Sequence, residues 1–449
     1  MKKTNLWVLA SALTLFPGAS APVWAQQETP TPATTFFGVL NDTTLDRLLA
    51  EAVAGNLELQ AAEASVDGAG AVRAEGVLNL APVVTARGGF TRQRLASSTF
   101  PTLDGAGFPD QNLWDAGVNT SWEVDVFGRL RNTLSARNAL EDAASENVLD
   151  VRIAVAADVA QAYFDVRGTQ GQLAVARRNA ENQRRTLELT QQRLDAGQGN
   201  AFDVERARTQ LNLTLAAIPS LERRLADAQY HVAVLLGRSP GELAAELDKE
   251  GRLPDLPAVL PVPAADRVAR DRPDVVRSQW EWAASSAMVG AARADYLPRL
   301  SLTGGIGYTA SALDSFGNTG TFGYSFGPVI TWPLFDLGRV KARVDAARAR
   351  EAEARARYNH AVLRAAEQLE SAAMRYRTER TRLDYLVEAA AASERAAELA
   401  QDRYRGGIAD FFEVLDAERT LLAAQDQLAQ VRTDASHAYV ALFEAIGER

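Results

Sequence analysis

The sequence contains one segment in two related copies, and this repeat limits the possible folds more than any other feature. Residues 196–215 read AGQGNAFDVERARTQLNLTL, and residues 406–425 read GGIADFFEVLDAERTLLAAQ. The two copies lie 210 residues apart and align without a gap. Each copy begins with glycine residues typical of a turn and continues with the residue spacing of a helix N-terminus. The chain is therefore predicted to contain two structural units of one design.

Further matched segments extend the repeat over most of the chain. SWEVDVFGRLR at residues 121–131 returns as TWPLFDLGRVK at residues 331–341, again 210 residues later. LAPVVTARGGF at residues 80–90 returns as YLPRLSLTGGI at residues 296–306, which is 216 residues later. The six-residue difference falls in the loop 92–111, which is the longer of the two loops. These offsets predict a tandem duplication with one insertion in a loop.

Each copy contains two segments with the alternation of β-strands. In the segment 299–309 four apolar residues share one face and the other face is polar: Leu300, Leu302, Ile306 and Tyr308 oppose Ser301, Thr303 and Thr309. The segment 321–327 alternates aromatic residues with glycine and serine, and residues 84–91 and 114–119 behave similarly. Runs of about ten such residues are typical of strands that cross an outer membrane around a wet lumen. The alternative is a half-buried sheet of a soluble protein.

Two stretches are long enough for unusually long helices. After Gly338 no glycine or proline occurs until Gly406, and between Gly128 and Gly197 only Gly168 and Gly171 interrupt a similar stretch. At ~1.5 Å per residue, a helix of this kind would measure about 100 Å. Apolar residues recur at alternating steps of four and three, which is coiled-coil periodicity. Each unit is therefore predicted to hold a long antiparallel helical hairpin, folded at residues 197–200 or 406–410.

Four strands are too few to close a membrane barrel within one chain. About eight strands are needed before side chains fill even the smallest barrel interior. An open sheet would leave unpaired backbone groups at its edges, which lipid does not tolerate. If the strands lie in a membrane, several chains must share one barrel, and closed cyclic symmetry is the natural arrangement. The helical hairpins would then continue from one end of that barrel as a tube.

The N-terminus has the order of a secretory signal. Lys2 and Lys3 precede an apolar run at residues 6–16, and the small residue Ala25 follows. Prolines and glycine end the run well before the ~20 residues that span a bilayer. This order predicts a cleavable signal peptide over residues 1–25 and export from the cytoplasm.

The composition argues against several classes of function. The net charge of −9 disfavours a nucleic-acid partner. The chain has no cysteine, which excludes disulfides, thiolate metal sites, a cysteine nucleophile and an acylated cysteine anchor. The three histidines, His231, His360 and His437, lie far apart in helical stretches. We therefore predict a protein that is not an enzyme and that has no catalytic residues, no cofactor and no metal site.

A proline-rich stretch at residues 252–267 separates the two units and is predicted to be extended. The predicted order along the chain is a signal peptide (1–25), an N-terminal extended segment and helices (26–80), a first β-hairpin (81–127), a first long helical hairpin (128–240), an inter-repeat linker with an equatorial helix (241–296), a second β-hairpin (297–333) and a second long helical hairpin (334–449).

These features together resemble a known family. The tandem halves, the junctions WEVDVFGR and WPLFDLGR, the RPDV of residues 272–275 and the YxxGxxxxxxVLDA pattern of residues 404–417 are similar to the outer-membrane factor (TolC-like) family. The similarity is greatest to the branch that serves resistance–nodulation–division efflux pumps. The resemblance covers nearly the whole mature chain.

The resemblance implies an α+β membrane protein that works as a homotrimer. Four strands per chain would complete a trimeric 12-stranded β-barrel in the outer-membrane lipid, and the coiled-coil hairpins would form a periplasmic α-barrel. The channel would dock on a periplasmic adaptor protein and act with an inner-membrane pump. Many members of this branch carry a lipid-anchoring cysteine after the signal, and this chain has none. Its anchoring would rest on the barrel alone.

The resemblance also assigns roles to residues near the two turns. Phe412, Glu413 and Asp416 fall where the family has its periplasmic gate. Tyr404 and Asp203 match a pair that links helices and holds the gate. The position two residues after Gly407, where the family has a basic residue for a second link, is Ala409 here. The hairpin-tip turns that would dock the adaptor contain four glycines: Gly197, Gly199, Gly406 and Gly407.

Helix capping is a second interpretation of the acids at the turn. Asp410 and Glu413 have the spacing of a capping box, which Asn200 and Asp203 repeat. Asp416 does not fit this explanation, because its counterpart in the first copy is Arg206. In the channel that the resemblance implies, several chains would place such acids in a ring around a narrow axis, and this ring would attract cations.

Three other functions remain open from the sequence. A periplasmic adaptor also has a helical hairpin, but it would carry one hairpin and no pair of amphipathic strand units. A secreted coiled-coil structural or adhesive protein would have long helices as well. The outer-membrane component of a type I protein secretion system would share the architecture of an efflux duct.

Overall fold

The computed structural model describes residues 32–94, 109–248, 251–258, 260 and 262–447. The predicted signal peptide, residues 1–25, and most of the loop 92–111 lie outside the described residues.

The described elements follow the same order in the two halves of the chain. Each half has a helix, two strands, one very long helix and a second long helix. The first half contains α1 (Pro32–Gly38), α2 (Thr43–Gly55), α3 (Leu57–Leu78), β1 (Val83–Gln93), β2 (Gln111–Val124), α4 (Arg129–Asp195) and α5 (Ala201–Leu235). The second half contains α6 (Ala244–Leu247), α7 (Ala265–Asp271), α8 (Pro273–Ala294), β3 (Arg299–Ala310), β4 (Phe322–Thr331), α9 (Leu337–Arg405) and α10 (Phe411–Ile446). Residues 252–258 of the stretch predicted to be extended form neither helix nor strand, whereas residues 265–267 at its end already belong to α7.

One tertiary contact occurs in both halves with the same residues of the repeat. The indole Nε1 of Trp122 donates a hydrogen bond to the carbonyl oxygen of Leu80 at 2.8 Å. The indole Nε1 of Trp332 donates to the carbonyl oxygen of Tyr296 at 3.0 Å. Each bond ties the end of a strand to the segment that precedes the other strand of its hairpin. The repeat is therefore present in the packing as well as in the sequence.

The four strands form one antiparallel sheet in the order β1-β2-β3-β4. Val118 of β2 lies opposite Ile306 of β3, so the central pairing joins the two halves. Residues of one parity form an apolar face that includes Phe90, Trp114, Val118, Ile306, Tyr308, Phe322, Tyr324 and Phe326. Tyr324 and Phe326 are more than three-quarters exposed in the single chain, at 79% and 77%. The predicted alternation is thus confirmed, and its apolar side has no cover from the described residues of this chain.

The predicted long helices are confirmed. α4 has 67 residues and α9 has 69, and each packs against the helix that follows its turn. α4 continues through Gly168, where a Cβ would lie 2.2 Å from Thr433 Oγ1 of α10. A glycine at this position lets α10 approach α4 closely. In the described part of the chain, no helix combines the length and the apolar composition required to cross a membrane.

A large buried cluster lies where the ends of α5 and α10 meet the middle of α4. Its aromatic members include Phe37, Tyr163, Tyr439 and Phe443. The hydroxyl of Tyr163 donates to Asp42 Oδ2 at 2.6 Å, and the same carboxylate caps the start of α2. This core fixes the helices at their middle level. The sheet lies at one end of the long helices and the two turns at the other.

Candidate functional site

The two turns share one backbone design. The long helices α4 and α9 both end in a Schellman motif, with Gly197 at φ 72° and Gly407 at φ 74°. In the first turn the amide of Gly197 donates to Leu194 O at 2.9 Å, and in the second the amide of Gly407 donates to Tyr404 O at 3.0 Å. The left-handed conformation suits glycine because a Cβ would crowd the backbone. These two glycines occupy equivalent places in the repeat.

The two turns are held side by side by a buried cluster, here called the tip cluster. Its members come from both hairpins: Ala207, Ala400, Tyr404, Phe411, Val414 and Leu415. Leu187 and Leu189 of α4 pack against it. Because α4, α5, α9 and α10 all contribute, the position of the second turn depends on the first hairpin.

Tyr404 is the centre of this contact. Its side chain is buried, and its ring lies 5.8 Å from the ring of Phe411. Arg193 of α4 holds it in two ways: the guanidinium lies 4.4 Å above the ring centre, and Nη1 donates to the carbonyl oxygen of Tyr404 at 2.6 Å. That carbonyl lies in the last turn of α9, where a cation is stabilised by the helix dipole. Arg193 therefore connects the first hairpin to the end of α9.

The predicted pair of Tyr404 and Asp203 is close enough to interact through charge. Burial raises the pKa of Tyr404 above its usual range; the positive charge of Arg193 opposes this shift, and the negative charge of Asp203 adds to it. No hydrogen bond joins Tyr404 and Asp203 within the described residues. Arg193, which was not among the predicted residues, supplies the direct contact instead. Its place in the last turn of a helix was visible in the sequence, but its partner was not.

The predicted capping box is half formed. Asp410 Oδ1 accepts a hydrogen bond from the amide of Glu413 at 3.1 Å, so Asp410 caps α10. The carboxylate of Glu413 does not complete the box and instead lies 3.6 Å from Arg403 Nη2 of α9. In the first copy Asn200 Oδ1 accepts from the amide of Phe202 at 2.8 Å. The carboxylate of Glu413 therefore takes no part in capping the helix.

Phe412 and Asp416 lie one helical turn apart on α10, and both side chains are exposed in the single chain. The guanidinium of Arg206 lies 5.4 Å from the ring centre of Phe412 and 5.3 Å from that of Phe202. Arg206 is thus placed between the equivalent phenylalanines of the two turns. Asp416 has no ion-pair partner in the described part of the chain. The three predicted gate residues therefore project together from the start of α10.

A buried carboxylate lies one helical turn beyond the tip cluster. Glu418 Oε1 accepts hydrogen bonds from Thr186 Oγ1 at 2.7 Å and from Gln401 Nε2 at 3.0 Å. Burial raises the pKa of Glu418, and these two hydrogen bonds oppose the shift. The repeat did not point to this residue, because its counterpart in the first copy, Arg208, is an exposed cation.

The described residues contain no group of three or more histidine and acidic side chains that could hold a metal ion. The arrangement at the turns is therefore one of helix ends, aromatic rings and opposite charges. It holds helix ends together and offers acidic and aromatic side chains to the space beyond the single chain.

Comparison with known proteins identifies the architecture. The sequence matches the outer membrane efflux protein family over residues 48–238 and again over residues 264–448. The two stretches start 216 residues apart and end 210 residues apart, which are the offsets of the sequence repeat.

Individual relatives match over nearly their whole length. Nodulation protein T of Rhizobium leguminosarum bv. trifolii is 29% identical over 420 residues, which cover 92% of this chain and 87% of the relative. The solvent efflux pump outer membrane protein SrpC of Pseudomonas putida is 30% identical over 413 residues, covering 90% and 85%. The solved structure of the outer-membrane channel OprN superimposes with a TM-score of 0.87 at 35% identity, and 92% of each chain is covered. This chain belongs to the outer membrane efflux protein family.

Proposed function

We propose that this protein is the outer-membrane exit channel of a tripartite efflux system. The observation that carries the proposal is one open four-stranded sheet with an exposed apolar face, continued at one end by helices of 67 and 69 residues. At ~1.5 Å per residue such helices reach about 100 Å, which suits a duct that leads away from a membrane. The family membership supports this function over a secreted adhesive protein or a type I secretion component.

The assembly we propose is a homotrimer. Three copies of the sheet would give a twelve-stranded barrel, in which β1 and β4 of neighbouring copies close the edges that lipid would otherwise meet. The apolar face would contact lipid, and the polar face would line the lumen. Twelve long helices would form the periplasmic tunnel. No cysteine is present to carry a lipid anchor, so the barrel would hold the protein in the membrane.

The gate we propose lies at the helical turns. Phe412, Glu413 and Asp416 are exposed in the single chain, and three copies would place them around a common axis. Arg193 and Tyr404, with the charge of Asp203 nearby, would hold the end of α9 in the closed position. Like charges around a narrow axis repel one another and attract cations. The aromatic and acidic side chains would narrow this axis, and the acids would make the closed tip prefer cations.

The partners we propose are a periplasmic adaptor, which would dock at the turns, and an inner-membrane pump. The turns of Gly197, Gly199, Gly406 and Gly407 are the part of the helical tube farthest from the sheet. SrpC is named for solvent efflux and the Rhizobium relative for nodulation. Because the names of these relatives differ, we assign selection of the cargo to the inner-membrane partner.

Conductance in a planar lipid bilayer tests the channel and the gate together. We expect small, cation-preferring steps from the wild type and larger steps from the double variant Glu413→Ala/Asp416→Ala. The matched control is Glu367→Ala/Glu370→Ala, which removes two exposed acids of the same spacing from the middle of α9. The control should keep the wild-type step size.

Three outcomes would contradict parts of the proposal. Equal steps in the wild type and in the tip variant would assign the acids to helix capping. Equal widening in the control would mean that total charge, and not the tip, sets the conductance. No conductance from folded, detergent-extracted protein would overturn the channel itself.

A further inference from the structure

The middle of the polar face of the sheet carries one pair of opposite charges. Arg87 of β1 and Asp115 of β2 share this face, and Arg87 Nε lies 3.6 Å from Asp115 Oδ2. The other charged residues of the same parity, Glu123 and Arg299, lie at the helical end of the sheet and pair with Arg129 and Asp295. Arg87 is therefore the basic residue placed farthest inside the described sheet on its polar side.

The two members of the pair are presented differently. The side chain of Arg87 is 65% exposed, whereas that of Asp115 is 24% exposed. The carboxylate lies over the backbone of β1, where a Cβ on Gly89 would be only 2.9 Å from Asp115 Oδ1. The surface that the pair offers to solvent is thus mainly the guanidinium group.

The positions beside Arg87 across the sheet carry no side chains. Arg87 lies opposite Gly117, Gly117 opposite Gly307, and Gly307 opposite Gly323. A Cβ on Gly117 would lie 2.5 Å from Ile306 O, and one on Gly307 would lie 2.7 Å from Ala116 O. The central strands therefore approach each other closely on this face, as they do on the concave side of a curved sheet. No neighbouring side chain on this row covers the guanidinium of Arg87.

We infer that Arg87 sets the charge preference of the sheet-formed part of the channel, favouring small anionic solutes. The inference rests on the proposed trimeric barrel, in which cyclic symmetry brings three copies of Arg87 to one height on the lumen side. A charge in a confined, water-filled space with low-dielectric walls raises the local concentration of counter-ions. The duct then has two filters of opposite sign in series, acidic at the helical turns and basic in the sheet.

The test measures the reversal potential in a gradient of potassium chloride across a planar bilayer. The acidic tip is first removed with Glu413→Ala/Asp416→Ala, so that the sheet dominates selectivity. In this background Arg87→Gln should lower the chloride-to-potassium permeability ratio by about threefold or more, and Asp115→Asn should raise it. The double change Arg87→Gln/Asp115→Asn should remain below the unmodified background, because the exposed member of the pair is the cation.

A matched control separates position from total charge. Arg92→Gln removes a cation of nearly equal exposure, 66%, from the same strand but from the other parity, and it should leave the ratio unchanged. Arg87→Lys keeps the charge and should keep the preference even if Arg87→Gln does not assemble.

Other results would overturn either the role of Arg87 or the proposed function. A ratio unaffected by Arg87→Gln, or a double variant equal to its background, would overturn the role of Arg87 while leaving the channel intact. A background variant that is folded and does not conduct would instead overturn the proposed function.

Discussion

The two helical turns have almost the same backbone and different side chains. Both long helices end in a Schellman motif with a left-handed glycine, and both following helices are capped by a short polar side chain, Asn200 or Asp410. Beyond the caps the turns diverge. Arg206 of the first turn corresponds to Asp416 of the second, and the exposed Arg208 corresponds to the buried Glu418.

The difference shows which properties a duplicated unit must keep. A helical hairpin requires a residue that tolerates positive φ and a side chain that satisfies the first amides of the next helix. Neither requirement specifies the charge of the residues that follow. The first turn supplies cations that hold the second, through Arg193 on Tyr404 and Arg206 on Phe412. The second turn presents its acids to the space outside the chain.

The largest expected effect on the stability of the second turn comes from replacing the arginine in the last turn of a long helix. Arg193 and Arg403 are repeat equivalents, but Arg193 is hydrogen-bonded to a helix-end carbonyl and Arg403 makes a loose, exposed contact of 3.6 Å with Glu413. Arg193→Met should weaken the second turn by about 2 kcal/mol, through loss of a charged hydrogen bond and a cation–π contact. Arg403→Met should cost less than about 0.5 kcal/mol.

Hydrogen–deuterium exchange of the amides near residues 404–408 measures this difference. A loss of about 2 kcal/mol should accelerate exchange roughly 30-fold when local opening governs it. Similar acceleration in both variants would mean that Arg193 stabilises the end of α9 no more than Arg403 does. Wider conductance steps in Arg193→Met would show in addition that the contact of Arg193 with Tyr404 keeps the gate closed.

A smaller effect, equal in the two turns, is expected at the left-handed glycines. A Cβ at Gly197 or Gly407 would meet no atom within 4 Å beyond the adjoining residues, so alanine there would be opposed by the local backbone conformation alone. Each substitution should cost about 1 kcal/mol. Gly406→Ala is the control, because Gly406 has φ −74° and should tolerate alanine without loss. Exchange at both turns provides the measurement, and a clearly unequal cost would refute the shared backbone design.

The features that the sequence predicted are those that depend on local periodicity. The alternation in β3, the glycine-free run of α9 and the repeat offset each involve neighbouring residues or a constant spacing, and each has its counterpart in the structure. The glycine of a Schellman motif belongs to the same class, since its conformation is decided within one helical turn.

The contacts that the sequence did not predict join residues far apart in the chain. Arg193 meets Tyr404 across 211 residues, and Thr186 meets Glu418 across 232. Their pairing depends on how the two hairpins are rotated against each other, which no local pattern encodes. Family resemblance pointed to Tyr404 but did not reveal the arginine that contacts it, and the linking role of Tyr404 and Asp203 stays a prediction. The role of the acids at the gate remains a prediction.

The smallest expected effect is a pH dependence of the folding stability, caused by the buried carboxyl group of Glu418. Its pKa is raised by burial, so at pH values below the usual value of 4.5 the carboxyl is protonated in both the folded and the unfolded state and carries no penalty. As pH rises above 4.5 towards the raised pKa, the unfolded state loses its proton more readily than the folded one. The fold is therefore destabilised progressively through this window, and the loss is complete above the raised pKa.

Glu418→Gln removes this dependence while it keeps an oxygen that can accept from Thr186 and Gln401. Thermal unfolding followed by circular dichroism between pH 4.5 and 8 should show the variant gaining on the wild type as pH rises, by less than about 1 kcal/mol at the upper end. Arg208→Gln, at the equivalent exposed position, should show no such trend. A difference that stays constant across the range would mean that burial does not raise the pKa of Glu418 and that its carboxylate costs no more in the folded than in the unfolded state.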